Sequence, residues 1–234
     1  MEGLLFVDKP ASWSSFDVVK YVRSIVARAL SVPPKRVKVG HSGTLDPAAT
    51  GLMLMLVGKN YTSRAQDFLK LDKSYEVTMM LGKESTTGDS EGYLRTISDD
   101  VPSQSTLTHA LNKFHGEIFQ TPPIYSAVQV NGVRAYKLAR AGKVVNLPER
   151  KVFIHNIDYL NYEYPMVEFK ADVSSGTYIR TLVEDIGKEL GCGAYTTNLR
   201  RTRIGSYSID SAVMPKEINE QTIIALLNQH TLLI

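Results

Sequence analysis

The chain has 234 residues, 43% of them hydrophobic and 22% charged, with a formal net charge of +3 and a sequence pI near 8.8. This composition is that of an ordinary globular protein, with no excess of Pro, Gly or Ser that would indicate disorder. The longest apolar run, Leu52 to Val57, is far shorter than the roughly 20 residues that span a bilayer, so we expect no membrane span. The N-terminal residues do not read as a secretory signal, and the single cysteine, Cys192, cannot form an internal disulfide; both favour a cytoplasmic location.

The N-terminal half is predicted to contain both strands and helices. In chain order we expect a strand over 3–7, a helix capped by Ser14 or Ser15 and ended by Pro33, the turn-rich segment 40–51, a strand over 52–57, a helix over 61–69, a strand over 74–82, a polar loop over 86–92 and a helix over 106–114. The first helix is expected to bury Phe16, Val19, Val22, Val26 and Ala29, which recur at helical spacing.

Strands follow one another more often in the C-terminal half. We expect a strand over 124–130, an Asn131-Gly132 turn, a helix ending at Gly142, strands over 151–160 and 167–174, a helix over 177–190, a strand over 205–210 and a last helix opened by Pro215. A strict alternation of strand and helix is therefore excluded. The pattern predicts an α+β (mixed α/β) fold with a largely antiparallel central sheet flanked by helices and loops.

The segment Gly40 to Gly51 is the strongest candidate for a functional site. It places three glycines, His41 and Asp46 in a turn before a buried strand, and loops held by a rigid scaffold are where catalytic residues concentrate. The alternative interpretation is that Asp46 only caps a turn with Pro47.

Other segments have two interpretations each. Ser174 to Arg180 lies where a strand passes into a helix, which suits an anion site but also an ordinary capping turn. Tyr75 alone reads as a strand aromatic. Two basic clusters, Lys35 with Arg36 and Lys38, and Arg200 with Arg201 and Arg203, could contact phosphates or simply face solvent.

Several cofactor motifs are missing from the sequence. Gly191-Cys192-Gly193 follows a helix and lacks a third glycine, so the dinucleotide fingerprint is not met. The five histidines, His41, His109, His115, His155 and His230, have no metal-ligand spacing. We expect neither a cofactor nor a metal.

Read together, the segments resemble the bacterial tRNA pseudouridine-55 synthases, the TruB type of pseudouridine synthase. The resemblance covers about residues 3 to 210, and the Gly-His-x-Gly-Thr-Leu-Asp-Pro string is highly specific. Its blocks are Val7-Asp8-Lys9-Pro10, Gly40 to Gly51, Lys73-x-Tyr75 with Leu81-Gly82, Thr87-x-Asp89, Pro122-Pro123-x-Tyr125-Ser126-Ala127, Gly132-x-Arg134-Ala135-Tyr136 with Ala139-Arg140, Ser175 to Arg180, and Leu199-Arg200-Arg201-Thr202-x-x-Gly205.

The resemblance implies a pseudouridine synthase fold and an enzyme that converts the T-loop uridine of tRNA to pseudouridine without a cofactor. It makes Asp46 the catalytic carboxylate, beside Arg180, which would keep the carboxylate ionised at neutral pH. Tyr75 matches the residue that stacks on the flipped-out base. It also makes His41, Tyr178, Leu199, Lys9, Gly43 and Thr44 substrate-binding residues. Whether the carboxylate attacks ribose C1′, attacks uracil C6 or removes a ribose proton stays open at this stage.

The resemblance also implies the domain organisation. We expect a catalytic domain over residues 1–210 and a C-terminal helical tail over 211–234, without a complete RNA-binding PUA domain, acting as a monomer on the T arm of tRNA. Ser12 and Gln129 stand where the family often has Gly and Lys.

Two other functions compete with this reading. The first is a tRNA-binding or tRNA-folding protein in which catalysis is secondary. The second is a glycoside hydrolase, which needs a second carboxylate besides Asp46; Asp89 and Glu91 are available in sequence, but nothing in it places them near Asp46.

Overall fold

A computed structural model describes residues 1–130 and 132–229. Asn131 of the predicted turn, His230 and the end of the predicted tail lie outside these ranges. The strands are β1 (Gly3–Lys9), β2 (Val39–His41), β3 (Thr50–Val57), β4 (Lys73–Leu81), β5 (Lys83–Ser85), β6 (Leu94–Thr96), β7 (Gly116–Gln120), β8 (Gln129–Val130), β9 (Val133–Arg134), β10 (Arg150–Glu163), β11 (Met166–Val173), β12 (Ala194–Ile204) and β13 (Tyr207–Ser208).

The helices alternate irregularly with these strands. They are α1 (Ser15–Ala29), α2 (Lys59–Thr62), α3 (Ala65–Leu69), α4 (Gln104–Asn112), α5 (Ala135–Arg140), α6 (Ile179–Glu189) and α7 (Ile223–Gln229), with 3-10 turns at Pro34–Arg36, Ile209–Ser211 and Pro215–Glu217. None of the helices in the described residues has the length and apolar character needed to cross a membrane.

The chain divides into two compact units. Of the described residues, the first unit consists of 1–73 together with 200–229, and the second unit consists of those between 74 and 199. β12 contributes its first residues to the second unit and its last residues to the first.

The first unit is built around β3. β1 pairs with it antiparallel from Gly3 opposite Val57 to Lys9 opposite Gly51, β2 also pairs with it antiparallel, and the end of β12 pairs with it in parallel. A strand with neighbours on both edges and both faces covered reads as a continuous apolar run, as residues 52–57 do. The core around it contains Leu4, Phe6, Leu52, Leu54, Leu56, Tyr61, Phe68 and Ile204.

Helix α1 begins where the sequence predicts. The Ser14 hydroxyl accepts a hydrogen bond from the Asp17 N–H at 3.2 Å, and the Asp17 carboxylate accepts from the Ser14 N–H at 3.0 Å, which forms a capping box. The expected burial of Phe16 is wrong, because this side chain is 55% exposed and Lys20 lies over its ring. The buried stripe instead comprises Val18, Val19, Val22, Ile25 and Val26.

The second unit contains a sheet in which long neighbouring strands pair antiparallel. Its strands lie in the order β7, β10, β11, β4, β12, and β10 pairs antiparallel with both β7 and β11. β4 alternates buried and half-buried residues, which is typical of a strand with one covered face. The predicted α+β class with a largely antiparallel sheet is confirmed.

Several predicted elements are wrong in kind or extent. The strand expected over 124–130 is reduced to β8, the strand expected over 205–210 to β13 and a 3-10 turn, and the helix expected over 61–69 is split into α2 and α3. The segment 40–51, expected as a turn throughout, starts within β2 and ends within β3.

Some strands were missed altogether. The strands that were not predicted are β2, β5, β6, β7, β9 and β12. β12 is the longest of these, and its sequence from Thr196 to Arg203 is mostly polar, so alternation of apolar residues cannot reveal it. The chain from Pro215 forms a 3-10 turn before α7 rather than one helix.

Candidate active site

Asp46 lies in a tight connection between two paired strands of the first unit. We call residues 42–49, which join β2 to β3, the Asp46 loop. At its start the Ser42 N–H donates to the Leu54 carbonyl at 3.1 Å, and near its end the Ala49 N–H donates to the Asp46 carbonyl at 3.1 Å. Asp46 itself is half-buried. The loop is therefore a structured turn that holds its carboxylate partly accessible.

The polypeptide between β1 and α1 holds the far side of this loop. The Pro47 carbonyl accepts hydrogen bonds from the Ser12 N–H at 2.9 Å and from Lys9 Nζ at 3.2 Å. Ser12 has a φ of 68°, a left-handed conformation that glycine adopts more easily, which explains the family's frequent Gly at this position. The residue after Asp46 is thus fixed to a neighbouring segment.

Lys9 is completely buried. Besides Pro47, its ammonium donates to the carbonyls of Pro10 and Trp13 at 2.9 and 2.6 Å. Hydrogen bonds to these carbonyl oxygens offset part of the free-energy cost of burying the ammonium. In this conformation Lys9 contacts the Asp46 loop, and its expected contact with substrate stays a prediction.

His41, Gly43 and Thr44 lie beside Asp46 in the first unit. His41 ends β2, and its Nδ1 accepts a hydrogen bond from the Gly43 N–H at 3.2 Å. Gly43 has a φ of 132°, which suits glycine, and Thr44 is exposed. His41 is held by the loop that follows it, and the Thr44 side chain is open to solvent.

Arg180 is the organising residue of the second unit's candidate site. It lies in the first turn of α6, only 6% exposed, and its guanidinium donates to the carbonyls of Thr87 at 2.7 Å and Tyr125 at 2.9 Å. The Asp89 carboxylate lies 3.6 Å from Nη1. The guanidinium is therefore oriented by two loops as well as by its own helix.

Tyr178 and Gln120 fix the entry to α6. The Gln120 side chain accepts from the Tyr178 N–H at 3.1 Å and donates to the Tyr178 carbonyl at 3.3 Å. Gln120 is buried, so this paired contact links β7 to the start of the helix. Sequence reasoning considered this helix start as an anion site or a capping turn, and it missed the contact of Gln120 with the Tyr178 backbone.

Tyr75 and Leu199 lie on strands of the second unit. Tyr75 is on β4 and 7% exposed, and Leu199 is half-buried on β12. The structure thus places His41, Gly43, Thr44, Asp46 and Lys9 in the first unit, and Tyr75, Tyr178, Arg180 and Leu199 in the second. The expected proximity of Asp46 to Tyr75 and Arg180 stays a prediction.

Burial perturbs one acidic side chain next to Arg180. Desolvation raises the pKa of the Glu184 carboxyl, an effect that the nearby positive charges of Lys188 and Arg180 oppose. Glu184 Oε1 also fills the space beside Gly88, where any added methyl group would overlap it. Glu184 therefore packs against the loop that carries Asp89.

No cluster of potential metal ligands forms among the described residues.

Asp89, the candidate second carboxylate of a glycoside hydrolase, contacts Arg180. It also accepts hydrogen bonds from the Glu91 N–H at 3.1 Å and from the Thr87 hydroxyl. Its carboxylate is occupied by a charge partner and two hydrogen bonds. This environment suits a residue that orients Arg180.

Comparison with known proteins decides the family. Residues 29–179 match the family model of the "TruB family pseudouridylate synthase (N terminal domain)". Residues 180–231 match the family model of the "tRNA pseudouridylate synthase B C-terminal domain". The chain belongs to the TruB family of pseudouridylate synthases. The resemblance seen in the sequence motifs is confirmed.

Relatives of this TruB-family chain cover most of its length. A protein of Protochlamydia amoebophila named "tRNA pseudouridine synthase B" is 40% identical over 222 residues, covering 95% of this chain and 81% of that protein. A protein of Parabacteroides distasonis with the same name is 39% identical over 218 residues, covering 93% of this chain and 92% of that protein. The chain is accordingly a pseudouridine synthase, an isomerase.

Solved structures show the same fold. The chain matches a chain in "Crystal Structure of a Cbf5-Nop10-Gar1 Complex" with a TM-score of 0.66 and 28% identity, covering 91% of this chain and 52% of that chain. It matches a chain in "Structure of H/ACA RNP bound to a substrate RNA containing 2'-deoxyuridine" with a TM-score of 0.64 and 27% identity, covering 91% and 50% respectively. This TruB-family chain spans about half the length of those two chains. The expected pseudouridine synthase fold is confirmed.

Proposed function

We propose that this TruB-family enzyme converts the uridine at position 55, in the T loop of tRNA, to pseudouridine, and that Asp46 is its catalytic carboxylate. One observation supports Asp46 above the other acidic residues. It is the carboxylate of a loop that is tied to its surroundings on both sides, at Ser42 and at Pro47, and that lies within the residues matched by the TruB family model. A carboxylate fixed in this way can be held at reacting distance from a bound nucleotide.

The reaction exchanges one glycosidic bond for another. The bond between uracil N1 and ribose C1′ breaks, the base rotates, a bond from C5 to C1′ forms, the proton on C5 passes to solvent, and N1 takes up a proton. Attack at C1′, attack at C6 and removal of a ribose proton each need an ionised carboxylate, so Asp46 fits all three routes. No cofactor or metal enters these steps.

The remaining residues receive roles by family resemblance. The target base is flipped out of the folded T loop, at a cost of a few kcal/mol, and stacking on Tyr75 returns about 1 to 3 kcal/mol. Arg180 supplies the positive charge beside Asp46. The support for this role is its orientation by the carbonyls of Thr87 and Tyr125, which pre-organises the guanidinium.

The other proposed substrate contacts lie around these groups. His41 helps to hold the flipped-out nucleotide, Tyr178 and Leu199 line the uracil pocket, and Gly43, Thr44 and Lys9 contact the substrate from the Asp46 side. The enzyme acts as a monomer in the cytoplasm, on the T arm of tRNA.

A basic surface supports a polyanionic substrate. Lys35, Arg36 and Lys38 are exposed, and within the described ranges none of them forms an ion pair. Unpaired surface cations are available to phosphates, and such contacts weaken as salt rises. The second cluster differs from its sequence interpretation, because Arg201 is 1% exposed and Arg200 pairs with Asp8 at 2.7 Å.

Tritium release tests the proposal. The purified enzyme is expected to release tritium from a T-arm stem-loop labelled at uridine C5, and Asp46→Asn is expected to abolish release while a filter-binding assay still detects the RNA. Asp67→Asn, which changes an exposed aspartate in the same unit, is the matched control and should leave the rate unchanged. Full activity of Asp46→Asn would falsify the catalytic assignment, and activity only on a stem-loop lacking the T-loop uridine would overturn the substrate assignment.

A further inference from the structure

Arg201 is a buried cation of the first unit. Its side chain on β12 is only 1% exposed, and within the part of the chain that the structure describes it forms no ion pair. Burying an uncompensated charge is costly, so its hydrogen bonds have to offset desolvation. Nε donates to the Leu52 carbonyl at 2.8 Å and Nη2 donates to the Gly43 carbonyl at 3.2 Å. The guanidinium therefore joins β3 to the Asp46 loop.

The backbone of Arg201 contacts β3 just beyond the Asp46 loop. Arg201 is paired with Gly51 in the parallel register of β12 and β3. Gly51 has a φ of 107°, and a methyl group added there would lie 2.7 Å from the Arg201 nitrogen and overlap its carbonyl group. Gly43 precedes Asp46 by three residues and Gly51 follows it by five, so Arg201 contacts the chain on both sides of Asp46.

A second buried cation lies beside the first. A methyl group added at Gly43 would lie 3.6 Å from Arg201 Nη1 and 3.9 Å from Lys73 Cε, so both side chains pass under Gly43. Lys73 Nζ donates to the carbonyls of Leu69 and Leu71. The loop thus rests on two long side chains whose heads are fixed by backbone carbonyls.

We propose that Arg201 is a positioning residue for the reaction, because it sets the separation between Gly43 and Gly51 and thereby the location of the Asp46 carboxylate. This inference rests on the proposed role of Asp46. Arg201 contacts no reacting atom. Its effect is expected in the chemical step, since a displacement of about 1 Å in a catalytic group can cost about a hundredfold in rate.

Two substitutions separate the charge from the geometry. Arg201→Lys keeps a positive charge but cannot donate in two directions from a planar fork, and Arg201→Met removes charge and donors while retaining a long side chain. The control is Ile204→Ala, which creates a cavity at a fully buried position of the same strand without removing a hydrogen bond to the loop. Each variant is assayed for kcat and KM of tritium release, for thermal unfolding, and for amide hydrogen exchange.

The expected result is a kcat lowered about a hundredfold in both Arg201 variants, with KM within about threefold of wild type. In Arg201→Met, exchange is expected to accelerate at the Leu45 and Ala49 amides, which hydrogen-bond to Ser15 and Asp46. Ile204→Ala should lose thermal stability yet keep its kcat.

Each contrary result has a distinct meaning. An unchanged kcat, a loss confined to KM, or an equal kcat loss in Ile204→Ala overturns the positioning role. Unchanged exchange at Leu45 and Ala49 overturns it as well, independently of any activity. A wild-type enzyme that releases no tritium overturns the proposed function instead, so the two failures are told apart.

Discussion

Ser15 and Leu45 exchange two hydrogen bonds across the first unit: the Ser15 hydroxyl accepts from the Leu45 N–H at 2.8 Å and donates to the Leu45 carbonyl at 2.9 Å. Both residues are buried, and Leu45 is the neighbour of Asp46. A serine side chain in the first turn of α1 thereby satisfies the N–H and the carbonyl of Leu45 in the Asp46 loop.

Ser15→Ala removes this contact and leaves two buried peptide groups without their partner. We expect a loss of about 1 to 3 kcal/mol in the free energy of unfolding. We also expect kcat to fall about tenfold with little change in KM, because the loop gains freedom next to Asp46. Urea denaturation and steady-state tritium release measure the two effects. Ser24→Ala, on the same helix, removes a bond only to the Tyr21 carbonyl and should retain wild-type kcat; equal losses in both variants would contradict the loop explanation.

Asp89→Asn tests the buried ion pair with Arg180. Both side chains are nearly inaccessible, with exposures of 11% and 7%, and removing the Asp89 charge takes away a buried electrostatic attraction to Arg180. We expect a destabilisation of about 3 kcal/mol, together with slower tritium release. Asp185→Asn breaks a more exposed pair with Lys188 at 3.0 Å and should cost less than about 1 kcal/mol. If both variants lost the same free energy of unfolding, the expectation that burial strengthens the effect of breaking the ion pair would be wrong.

Lys73 predicts a specific pH dependence of stability. Burial, with a contribution from the charge of Arg201, lowers the pKa of Lys73 to about 8 from 10.5. Below pH 8 both folded and unfolded chains hold this proton, and the full cost of the buried charge is present. Between about pH 8 and 10 the folded protein releases the proton first, so stability rises with pH in this window.

Lys73→Met is the variant that removes this dependence. The free energy of unfolding of wild type minus that of Lys73→Met should increase from pH 7 to pH 9.5, by at most about 3 kcal/mol. Lys70→Met, at an exposed lysine nearby, should show a constant difference across the same range. A constant difference for Lys73→Met too would show that its ammonium is not desolvated.

Gly51→Ala tests the close approach of β3 to β12. The substitution combines a φ of 107° with an overlap of the Arg201 backbone, and we expect more than about 3 kcal/mol of destabilisation. Gly116→Ala has a φ of 90° but nothing within 4 Å of the new methyl group, so it isolates the cost of the backbone conformation, about 1 to 2 kcal/mol. Thermal unfolding of both variants gives the difference, and equal losses would argue against the overlap.

The unpaired basic cluster predicts the salt dependence of RNA binding. Replacing Lys35, Arg36 and Lys38 together with Gln should weaken binding and reduce the slope of log K against log salt by about 1 to 2. The matched control replaces Lys113, Lys151 and Lys170, exposed lysines that each pair with a glutamate. It removes the same charge and should leave the slope nearly unchanged. Equal slopes for the two triple variants would place the phosphate contacts elsewhere.

Sequence motifs were sufficient to predict the family, the α+β class and the site candidates. The string around Asp46 matches the family's motif in order and spacing, so it is informative without a structure. Local signals were reliable where the apolar pattern is clear, either along one face, as in α1 with its Ser14 cap, or along the whole element, as in the continuously buried β3.

Local patterns failed where burial depends on distant neighbours. Phe16 matches the helical stripe of α1 yet faces solvent, and β12 went unrecognised because its buried Arg201 and Thr196 look like surface residues in a linear reading. Nothing within a short window reveals that a polar side chain will be enclosed by chain segments far away in sequence.

The sequence by itself determined which chemistry this protein carries, since the Asp46 motif and the ordered family blocks are properties of residue identity. Only the tertiary structure decided that Lys9 and Arg201 are buried cations held by backbone carbonyls, and that Asp89 contacts Arg180. The physical reason is that desolvation and hydrogen bonding across large sequence separations arise only when the chain is packed, and the same lysine or arginine would face solvent on an isolated strand.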